Sequence, residues 1–225
     1  MIKVNNPSII APQTEAELLQ RAHALAGKTL ASLAQTYQII MPSNLKQQKG
    51  WVGQLLEKAL GATAGAKAKP DFELIDIELK TIPINAKHLP KESTFICTVP
   101  QRPALTWHKS HVWQKLKRIL WIPIEADNII PLAKRHIGTP ILWSPNSQQE
   151  MILQQDWQEL CEMLALGQYD QLTAKHGTYL HCRPKAAHSR ILKQDINQQG
   201  ETQMIVPRGF YLRTCLTTEI LQSLV

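Results

Sequence analysis

Four acidic side chains and a lysine, among them Asp71, Glu78 and Lys80, interrupt an otherwise apolar stretch of the sequence, residues 70–80. From Ile77 onward apolar and charged residues alternate with the two-residue period of a β-strand, which puts Glu78 and Lys80 on one face. Asp71 lies seven residues before Glu78, far enough for a tight turn to bring its carboxylate back towards Glu78. Two carboxylates can hold Mg²⁺, which prefers oxygen ligands and keeps waters or substrate phosphate in its other positions. A metal-dependent site that cleaves phosphodiesters is therefore one interpretation of this stretch.

Lys80 could perform three tasks beside such a metal ion. It could neutralise excess carboxylate charge, orient the attacking water, or stabilise the extra negative charge on phosphorus in the transition state. The same residues also fit a surface hairpin with a solvated Glu78–Lys80 pair, a contact that contributes only about 0.2–1 kcal/mol. An aspartate, a spacer and Glu-x-Lys also occur by chance, so the stretch alone leaves both interpretations open.

The surrounding sequence predicts the elements that must position these side chains. Thr14 and Glu17 form a capping-box pattern before a helical stripe of apolar residues. Residues 51–60 follow a 3.6-residue apolar period and predict another helix. Residues 94–99 and 119–124 predict strands. Helices and strands mixed in this order predict an α/β fold with a central mixed sheet flanked by helices.

The second half of the chain predicts scaffold and cationic loops. Ser147 and Glu150 form a second capping-box pattern, which opens a long helix. The last third is rich in cations interrupted by glycine and proline, which predicts loops presented by short strands such as 179–183 and 210–213. A helix over 218–224 is predicted to close the chain.

The composition is that of an ordinary globular protein, with 44% hydrophobic and 19% charged residues over 225 positions. A formal net charge of +7 and a pI near 9.3 suit a polyanionic partner such as nucleic acid. No apolar run approaches the roughly 20 residues that span a bilayer. Residues 1–7 lack the features of a secretory signal, so we expect a cytoplasmic protein without membrane attachment. The four cysteines lack a short paired spacing, so neither a zinc knuckle nor a disulfide framework is indicated.

Blocks with a family resemblance run in order through the chain, at 49–57, 60–62, 70–71, 78–81, 92–95, 111–123, 142–146, 183–187 and 207–212. On these blocks the chain, from about Thr14 onward, closely resembles the MutH family of DNA mismatch-repair endonucleases, which are restriction-endonuclease-like nucleases. The signature of that group, Pro-Asp, a spacer and Asp/Glu-x-Lys, is present in full. The resemblance implies a restriction-endonuclease-like fold with two closely joined lobes around a DNA cleft. It implies a single domain over 1–225, with the catalytic lobe mainly in 14–125 and the DNA-recognition and scaffold region mainly in 126–225.

The resemblance implies a catalytic group of five residues: Asp71, Glu78, Lys80, Glu57 and Lys115. Asp71 and Glu78 match the metal ligands, so the implied cofactor is Mg²⁺. Glu57 matches a glutamate that helps to build the site, with an exposed helix charge as the alternative. Lys115 matches a lysine near the scissile phosphate, and its alternative is a solvated basic face. Lys49 matches a lysine that faces the site and would contact the DNA backbone.

Six further residues match those that the family uses to read DNA: Glu92, Phe95, Arg183, Pro184, Lys185 and Tyr211. Arginine and lysine can offer donors to the acceptors of guanine, and a proline between them stiffens the loop. Glu92 could accept from a cytosine amino group. Tyr211 matches the residue that tests adenine methylation, because a methyl group replaces a donor hydrogen with bulk. Phe95 matches a wedge near the bases, with packing in a core strand as the alternative.

The implied activity is Mg²⁺-dependent nicking of the unmethylated strand at hemimethylated GATC sites in DNA mismatch repair. The implied partners of this monomeric nuclease are double-stranded DNA, a MutL-type activator and, through it, a MutS-type mismatch sensor. One alternative is a restriction enzyme of the same fold that cuts both strands at GATC, which would require dimerisation because this chain carries one motif. Another is a non-catalytic DNA-binding module that retained the scaffold.

Overall fold

The computed structural model describes residues 9–43, 50–65, 69–100, 104, 106–169, 171–173, 175–185, 193–196 and 202–223. The helices of these residues are α1 (Glu15–His23), α2 (Leu30–Thr36), α3 (Trp51–Leu60), α4 (His111–Leu116), α5 (Ser147–Ala165) and α6 (Thr214–Gln222). Short 3-10 helices lie at Trp107–Lys109 and Leu132–Lys134. The strands are β1 (Glu78–Ile84), β2 (Thr94–Thr98), β3 (Ile119–Glu125), β4 (Ile141–Trp143), β5 (Leu180–Pro184), β6 (Lys193–Ile196), β7 (Thr202–Ile205) and β8 (Arg208–Leu212). None of the helices found in these described ranges combines the length and the apolar character needed to cross a membrane.

The chain divides into two compact units, and each unit takes its described residues from separated segments. The first unit draws on 1–91, 118–143 and 223–225, and the second on 92–117 and 144–222. The lobes expected from the sequence are contiguous, whereas these units are not, because β3 returns to pair with β1. The assignment of the whole chain to a single domain stays a prediction.

The sheet of the first unit has the order β1-β3-β4 and is mixed, as the sequence predicts. β1 and β3 are parallel, with Glu78 opposite Ile119, whereas β3 and β4 are antiparallel. Every residue of β3 except the last is buried, which is typical of a strand covered on both faces. The core of this unit joins the sheet to the first three helices and contains the fully buried residues Leu18, Leu30, Leu55, Leu56 and Leu120.

The helix beginnings follow the rules of N-terminal capping, with shifts of one residue. Thr14 caps α1, since its hydroxyl accepts from the backbone nitrogen of Glu17 at 3.1 Å. The Glu17 carboxylate accepts from the backbone nitrogen of Gln13, one residue earlier than the predicted capping box requires. The capping box predicted at Ser147 is also wrong by one residue. Asn146 is the cap of α5, because its side chain pairs reciprocally with Gln149 three residues later.

The second unit contains an antiparallel sheet of order β2-β8-β5 and a separate β6-β7 ribbon. One face of the three-stranded sheet is buried and carries Leu180, Cys182, Phe210 and Leu212. Helix α5 packs against β5. Because side chains alternate along a strand, the residues between these four point to the opposite face, and that face carries the residues expected to read DNA.

Candidate active site and recognition face

A tight turn between Phe72 and Ile77 leads into β1. Phe72 donates its backbone N–H to the Ile77 carbonyl at 2.9 Å, and Ile77 donates back at 3.4 Å. Asp76 has a φ of 56°, a left-handed conformation that aspartate tolerates better than most residues. The Oδ2 atom of Asp71 accepts from the backbone nitrogen of Leu79 at 2.8 Å. The turn that the sequence predicts is therefore present, and it returns the Asp71 carboxylate to the strand that carries Glu78.

Glu78 and Lys80 form a close ion pair on one face of β1. The Lys80 Nζ and Glu78 Oε1 atoms are 2.5 Å apart. Glu78 is only 2% exposed, so the interpretation as a solvated surface pair is wrong. A buried carboxylate is costly unless a partner balances its charge, and the Lys80 ammonium supplies such a partner here.

Helix α3, which carries Glu57, is tied to the same turn. The loop after the helix donates two backbone N–H groups to the Asp71 carbonyl, from Thr63 at 2.9 Å and from Ala64 at 3.3 Å. The helix itself packs against β1. Glu57 is half-buried, so the alternative of a fully exposed helix charge does not describe it. The structure thus brings Asp71, Glu78 and Lys80 together and holds the helix of Glu57 against them.

The donor set of this site fits a hard divalent cation. Asp71 and Glu78 offer carboxylate oxygens on neighbouring backbone segments, and Lys80 lies beside them. No cluster of three His, Cys, Asp or Glu side chains suited to a metal occurs among the residues for which the structure gives positions. Mg²⁺ commonly uses only one or two carboxylates and completes its shell with water and substrate phosphate, so the pair is sufficient.

The structure describes one of the two remaining lysines of the predicted site, Lys115, but not the other, Lys49. Lys115 is partly buried in the last turn of α4, in the second unit. Lys49 lies outside the described residues. The roles of both lysines stay predictions.

The exposed face of the β2-β8-β5 sheet gathers most of the residues expected to read DNA. Phe95 of β2 lies opposite Tyr211 of the central strand β8, and Tyr211 lies opposite His181 of β5. Arg183 lies opposite Gly209, one step further along. These register pairs put side chains from all three strands on one surface.

Two cations of this face rest on its two aromatic rings. The Arg183 guanidinium carbon is 5.3 Å from the centre of the Tyr211 ring, and Lys185 Nζ is 4.9 Å from the centre of the Phe95 ring. The two rings meet edge to face, with centres 5.3 Å apart and planes at 65°. Phe95 is 38% exposed, so its alternative as a core residue is wrong. A contact of this kind between cation and ring is attractive and partly orders the long side chain.

Gly209 leaves the space that the Phe95 ring occupies. A Cβ atom at this position would lie 2.7 Å from Phe95 Cε2 and 3.2 Å from Tyr211 Cε2, both closer than van der Waals contact. Glycine is therefore required at position 209 because the two rings leave no space for a side chain, and not because of its backbone conformation.

Burial changes the acid–base behaviour of two residues in this face. It raises the pKa of the Tyr211 hydroxyl above its ordinary value, and the Arg183 charge only partly opposes the shift. Tyr211 is therefore a neutral hydroxyl at physiological pH. Burial, with Arg213 and Arg183 nearby, lowers the pKa of His181 to about 4. His181 is accordingly a neutral imidazole whose ring lies 6.0 Å from that of Tyr211.

Pro184 and Glu92 also lie in the second unit. Pro184 is exposed at the end of β5 and pairs with Arg208. The backbone N–H of Lys185 then donates to the Pro207 carbonyl at 2.8 Å, which holds the backbone at Lys185. Glu92 is exposed two residues before β2 begins.

Sequence reasoning missed Asp156, a buried residue of α5 that anchors the start of β5. Its carboxylate accepts from the backbone nitrogens of Thr178, Tyr179 and Leu180 at 2.7, 2.7 and 2.8 Å. An available signal was the position of an acidic residue directly beside Trp157, within the apolar stripe of the helix. Sequence reasoning also missed the hydroxyl groups of Ser93, directly before β2, and of Thr98, within β2, which accept from Arg183 and Lys185. No sequence signal marks these two residues.

Comparison with known proteins identifies the family of this chain. A family model described as the DNA mismatch repair enzyme MutH matches residues 60–156. The DNA mismatch repair protein MutH of Vibrio vulnificus strain YJ016 is 53% identical over 214 residues, which cover 94% of each chain. The protein of the same name from Histophilus somni strain 2336 is 51% identical over 218 residues, covering 96% of this chain and 97% of the relative. That of Shewanella baltica strain OS185 is 50% identical over 217 residues, with the same coverage. With half of its residues identical over nearly the full length of these relatives, the chain belongs to the MutH family of DNA mismatch repair enzymes.

Proposed function

We propose that this protein is a Mg²⁺-dependent endonuclease that nicks the unmethylated strand at hemimethylated GATC sites during DNA mismatch repair. Membership of the family supports a nuclease that acts in mismatch repair. The observation that carries the proposal is the hydrogen bond from Leu79 N–H to Asp71, which holds a second carboxylate beside the Glu78–Lys80 pair. Two carboxylates and an ammonium group on one short turn and strand suit hydrolysis of a phosphodiester.

In this proposal Asp71 and Glu78 hold the metal. When bound, the ion would polarise the phosphodiester and lower the pKa of a nearby water molecule. The ammonium group of Lys80, held by the Glu78 carboxylate, is available to orient the attacking water or to stabilise negative charge on phosphorus. Glu57 completes the site from the helix packed against β1. Lys115 acts on the scissile phosphate.

Base recognition is assigned to the exposed face of the β2-β8-β5 sheet. Arg183 and Lys185 donate to guanine acceptors, and Pro184 between them limits the freedom of the backbone. Glu92 accepts from cytosine. These contacts together select GATC, and each good pair contributes about 1–3 kcal/mol of discrimination.

Strand choice is assigned to Tyr211. Its hydroxyl is neutral and the ring is held between Phe95, Arg183 and His181, so the ring has little room to yield. A methyl group on the adenine amino group would clash with a fixed ring and remove a donor hydrogen, whereas an unmodified adenine would not. Phe95 is proposed to act as a wedge beside the bases.

The remaining assignments concern partners and location. A net charge of +7 supports attraction to double-stranded DNA, with Lys49 on the backbone. We propose that the protein acts as a monomer, since one catalytic motif provides for one cut. We also propose that it acts in the cytoplasm. A MutL-type activator, directed by a MutS-type mismatch sensor, would accelerate the cut that the protein makes with Mg²⁺.

A supercoiled plasmid with one GATC site that is methylated on one strand only tests the proposal. Wild-type protein with Mg²⁺ should convert it to nicked circle, whereas a restriction-type enzyme would produce the linear form. Glu78→Ala and the isosteric Glu78→Gln should bind the DNA but leave it supercoiled, and Glu73→Gln, in the same turn, should nick normally. Nicking by both Glu78 variants would remove this residue from the mechanism.

A further inference from the structure

Two cations on the exposed face of the β2-β8-β5 sheet, Arg183 and Lys185, reach across all three strands. This face, which also carries Phe95 and Tyr211, is called the recognition face below. Arg183 and Lys185 begin on β5 or directly after it, and the hydroxyls that accept from their charged ends belong to β2 or the residue before it. Strand β8 lies between, so each side chain spans two strand spacings, about 10 Å in total. Such extended side chains lose considerable rotamer freedom, and specific contacts must offset that loss.

Arg183 is held from two directions. Its Nη1 atom donates to the Ser93 hydroxyl at 2.7 Å, and its plane lies over the Tyr211 ring. A guanidinium group has five N–H donors, and the Ser93 contact engages Nη1. The hydroxyl and the ring together fix the direction in which the fork of donors points.

Lys185 is held in the same manner at the other end of the face. Its Nζ atom donates to the Thr98 hydroxyl at 2.9 Å and lies over the Phe95 ring. An ammonium group has three donors, of which Thr98 accepts one. Each cation therefore has one aromatic ring and one hydroxyl as partners, and both hydroxyls come from the β2 edge.

The hydroxyls of Ser93 and Thr98 contribute little to the stability of the fold. Thr98 is exposed and Ser93 is half-exposed, so either oxygen could bond to water if its cation left. Hydrogen bonds at an exposed surface add little to the stability of a fold. We therefore expect the main effect of these hydrogen bonds to be the orientation of the Arg183 and Lys185 side chains.

We propose that Ser93 and Thr98 are positioning residues for base recognition, holding Arg183 and Lys185 in their DNA-reading orientation before DNA arrives. The inference rests on the proposed function and adds two residues to it. Ordering a long side chain in advance removes an entropic cost from binding. The hydroxyls therefore strengthen binding to the recognised site, whereas binding to other sequences, which depends on phosphate contacts, does not need this orientation.

The test compares binding of full-length variants to a GATC duplex and to a duplex with the same bases scrambled. Ca²⁺ replaces Mg²⁺ so that no strand is cut, and the salt concentration is fixed. Ser93→Ala and Thr98→Val should each weaken binding to the GATC duplex by about twofold to tenfold, with unchanged affinity for the scrambled duplex and unchanged melting temperature. Ser93→Thr and Thr98→Ser should restore the preference. Thr218→Val removes a hydroxyl from α6 and serves as the control.

A double variant separates positioning from any other effect. In an Arg183→Ala background, Ser93→Ala should cause no further loss, because the side chain that it positions is gone. Equal weakening on both duplexes, no change on either, or losses that follow a lower melting temperature would overturn the inference. Wild-type protein without any preference for GATC would overturn the proposed function as well, so the two failures are distinguishable.

Discussion

The Oδ2 atom of Asp71 lies 2.8 Å from the backbone nitrogen of Leu79, the residue between Glu78 and Lys80. This single hydrogen bond closes the turn onto β1 and fixes a carboxylate from outside the strand beside the two charged groups on it. The donor is a backbone group of β1, and the Leu79 side chain that follows it is buried in the core of the first unit. The distance along the chain, eight residues, is bridged by the Phe72–Ile77 turn.

Asp71→Asn should separate the metal-binding role of Asp71 from its structural role. The amide oxygen of asparagine can still accept from Leu79 N–H, so the melting temperature should change little. The loss of negative charge should weaken Mg²⁺ binding and reduce the nicking rate by about 100-fold or more, while DNA binding persists. Rates measured over a range of Mg²⁺ concentrations check this prediction.

The matched control is Asp76→Asn, in the same turn. Asparagine accepts the left-handed conformation of this exposed position, where φ is 56°. This variant should keep wild-type nicking. If both variants lost activity equally, general disturbance of the turn would explain the effect of Asp71→Asn, and its role as a ligand would be refuted.

Lys80→Met should destabilise the metal-free protein, because it leaves the buried Glu78 carboxylate without its ammonium partner. Removing one partner from a buried pair typically costs about 3 kcal/mol or more. Added Mg²⁺ should raise the melting temperature more in this variant than in the wild type, since the ion then balances charge that Lys80 no longer balances. Thermal unfolding with Mg²⁺ and with a chelator measures both effects.

Adding Glu78→Gln to the Lys80→Met variant provides the check. The double variant has no uncompensated charge, so it should be more stable than Lys80→Met alone and should respond little to Mg²⁺. An equal Mg²⁺ response in all three proteins would mean that the ion binds elsewhere.

Gly209→Ala should force the Phe95 ring off the sheet, because the new methyl group would lie 2.7 Å from Phe95 Cε2. Overpacking of this kind costs about 1–3 kcal/mol of unfolding free energy, which urea denaturation can measure. In a Phe95→Ala background the same substitution should cost much less, because only the contact with Tyr211 Cε2 at 3.2 Å remains. A full cost in that background would show that the glycine is needed for another reason.

The stability of the protein should depend on His181 between about pH 6.5 and pH 4. The folded protein holds the pKa of His181 at about 4, below the ordinary value of 6.5, so the unfolded chain binds more protons in this window. The contribution is therefore fully present above pH 6.5 and is lost as the pH falls. From about pH 7.5 to pH 5 the wild type should lose roughly 2 kcal/mol more than His181→Gln.

Urea denaturation at both pH values checks this prediction, with His176→Gln as a control at a histidine that is not buried. An identical pH slope in His181→Gln and the wild type would mean that folding leaves the pKa of His181 at its ordinary value. The lowered pKa of His181 would then have to be abandoned.

Much of the catalytic half could be predicted from the sequence because its signals are local. The alternation around Glu78 and Lys80 determines their shared face, and the seven residues back to Asp71 suffice for one tight turn. The helix over 51–60 and the strands near 94–99 and 119–124 are found close to their predicted bounds, since apolar periodicity persists across each of them.

Contacts between partners distant in sequence were not predictable. The position of Asp156 in the apolar stripe of α5 signals a structural role, but only the fold brings the backbone of 178–180 to its carboxylate. The hydroxyls of Ser93 and Thr98 meet their cations some ninety residues away. The β6-β7 ribbon lies in a polar stretch without a strong alternation and was missed. Helix α6 begins at Thr214, four residues before the predicted start, and its first turn already buries Leu216.

Strand-resolved cleavage of end-labelled GATC duplexes with Mg²⁺ tests the central claim most directly. The duplexes are unmethylated, methylated on one strand, or methylated on both. We predict that the half-methylated duplex is cut only on its unmethylated strand, that either strand of the unmethylated duplex can be cut, and that the fully methylated duplex stays intact. Cutting of the methylated strand at a rate equal to that of its partner, or no cutting of any duplex, would contradict the account.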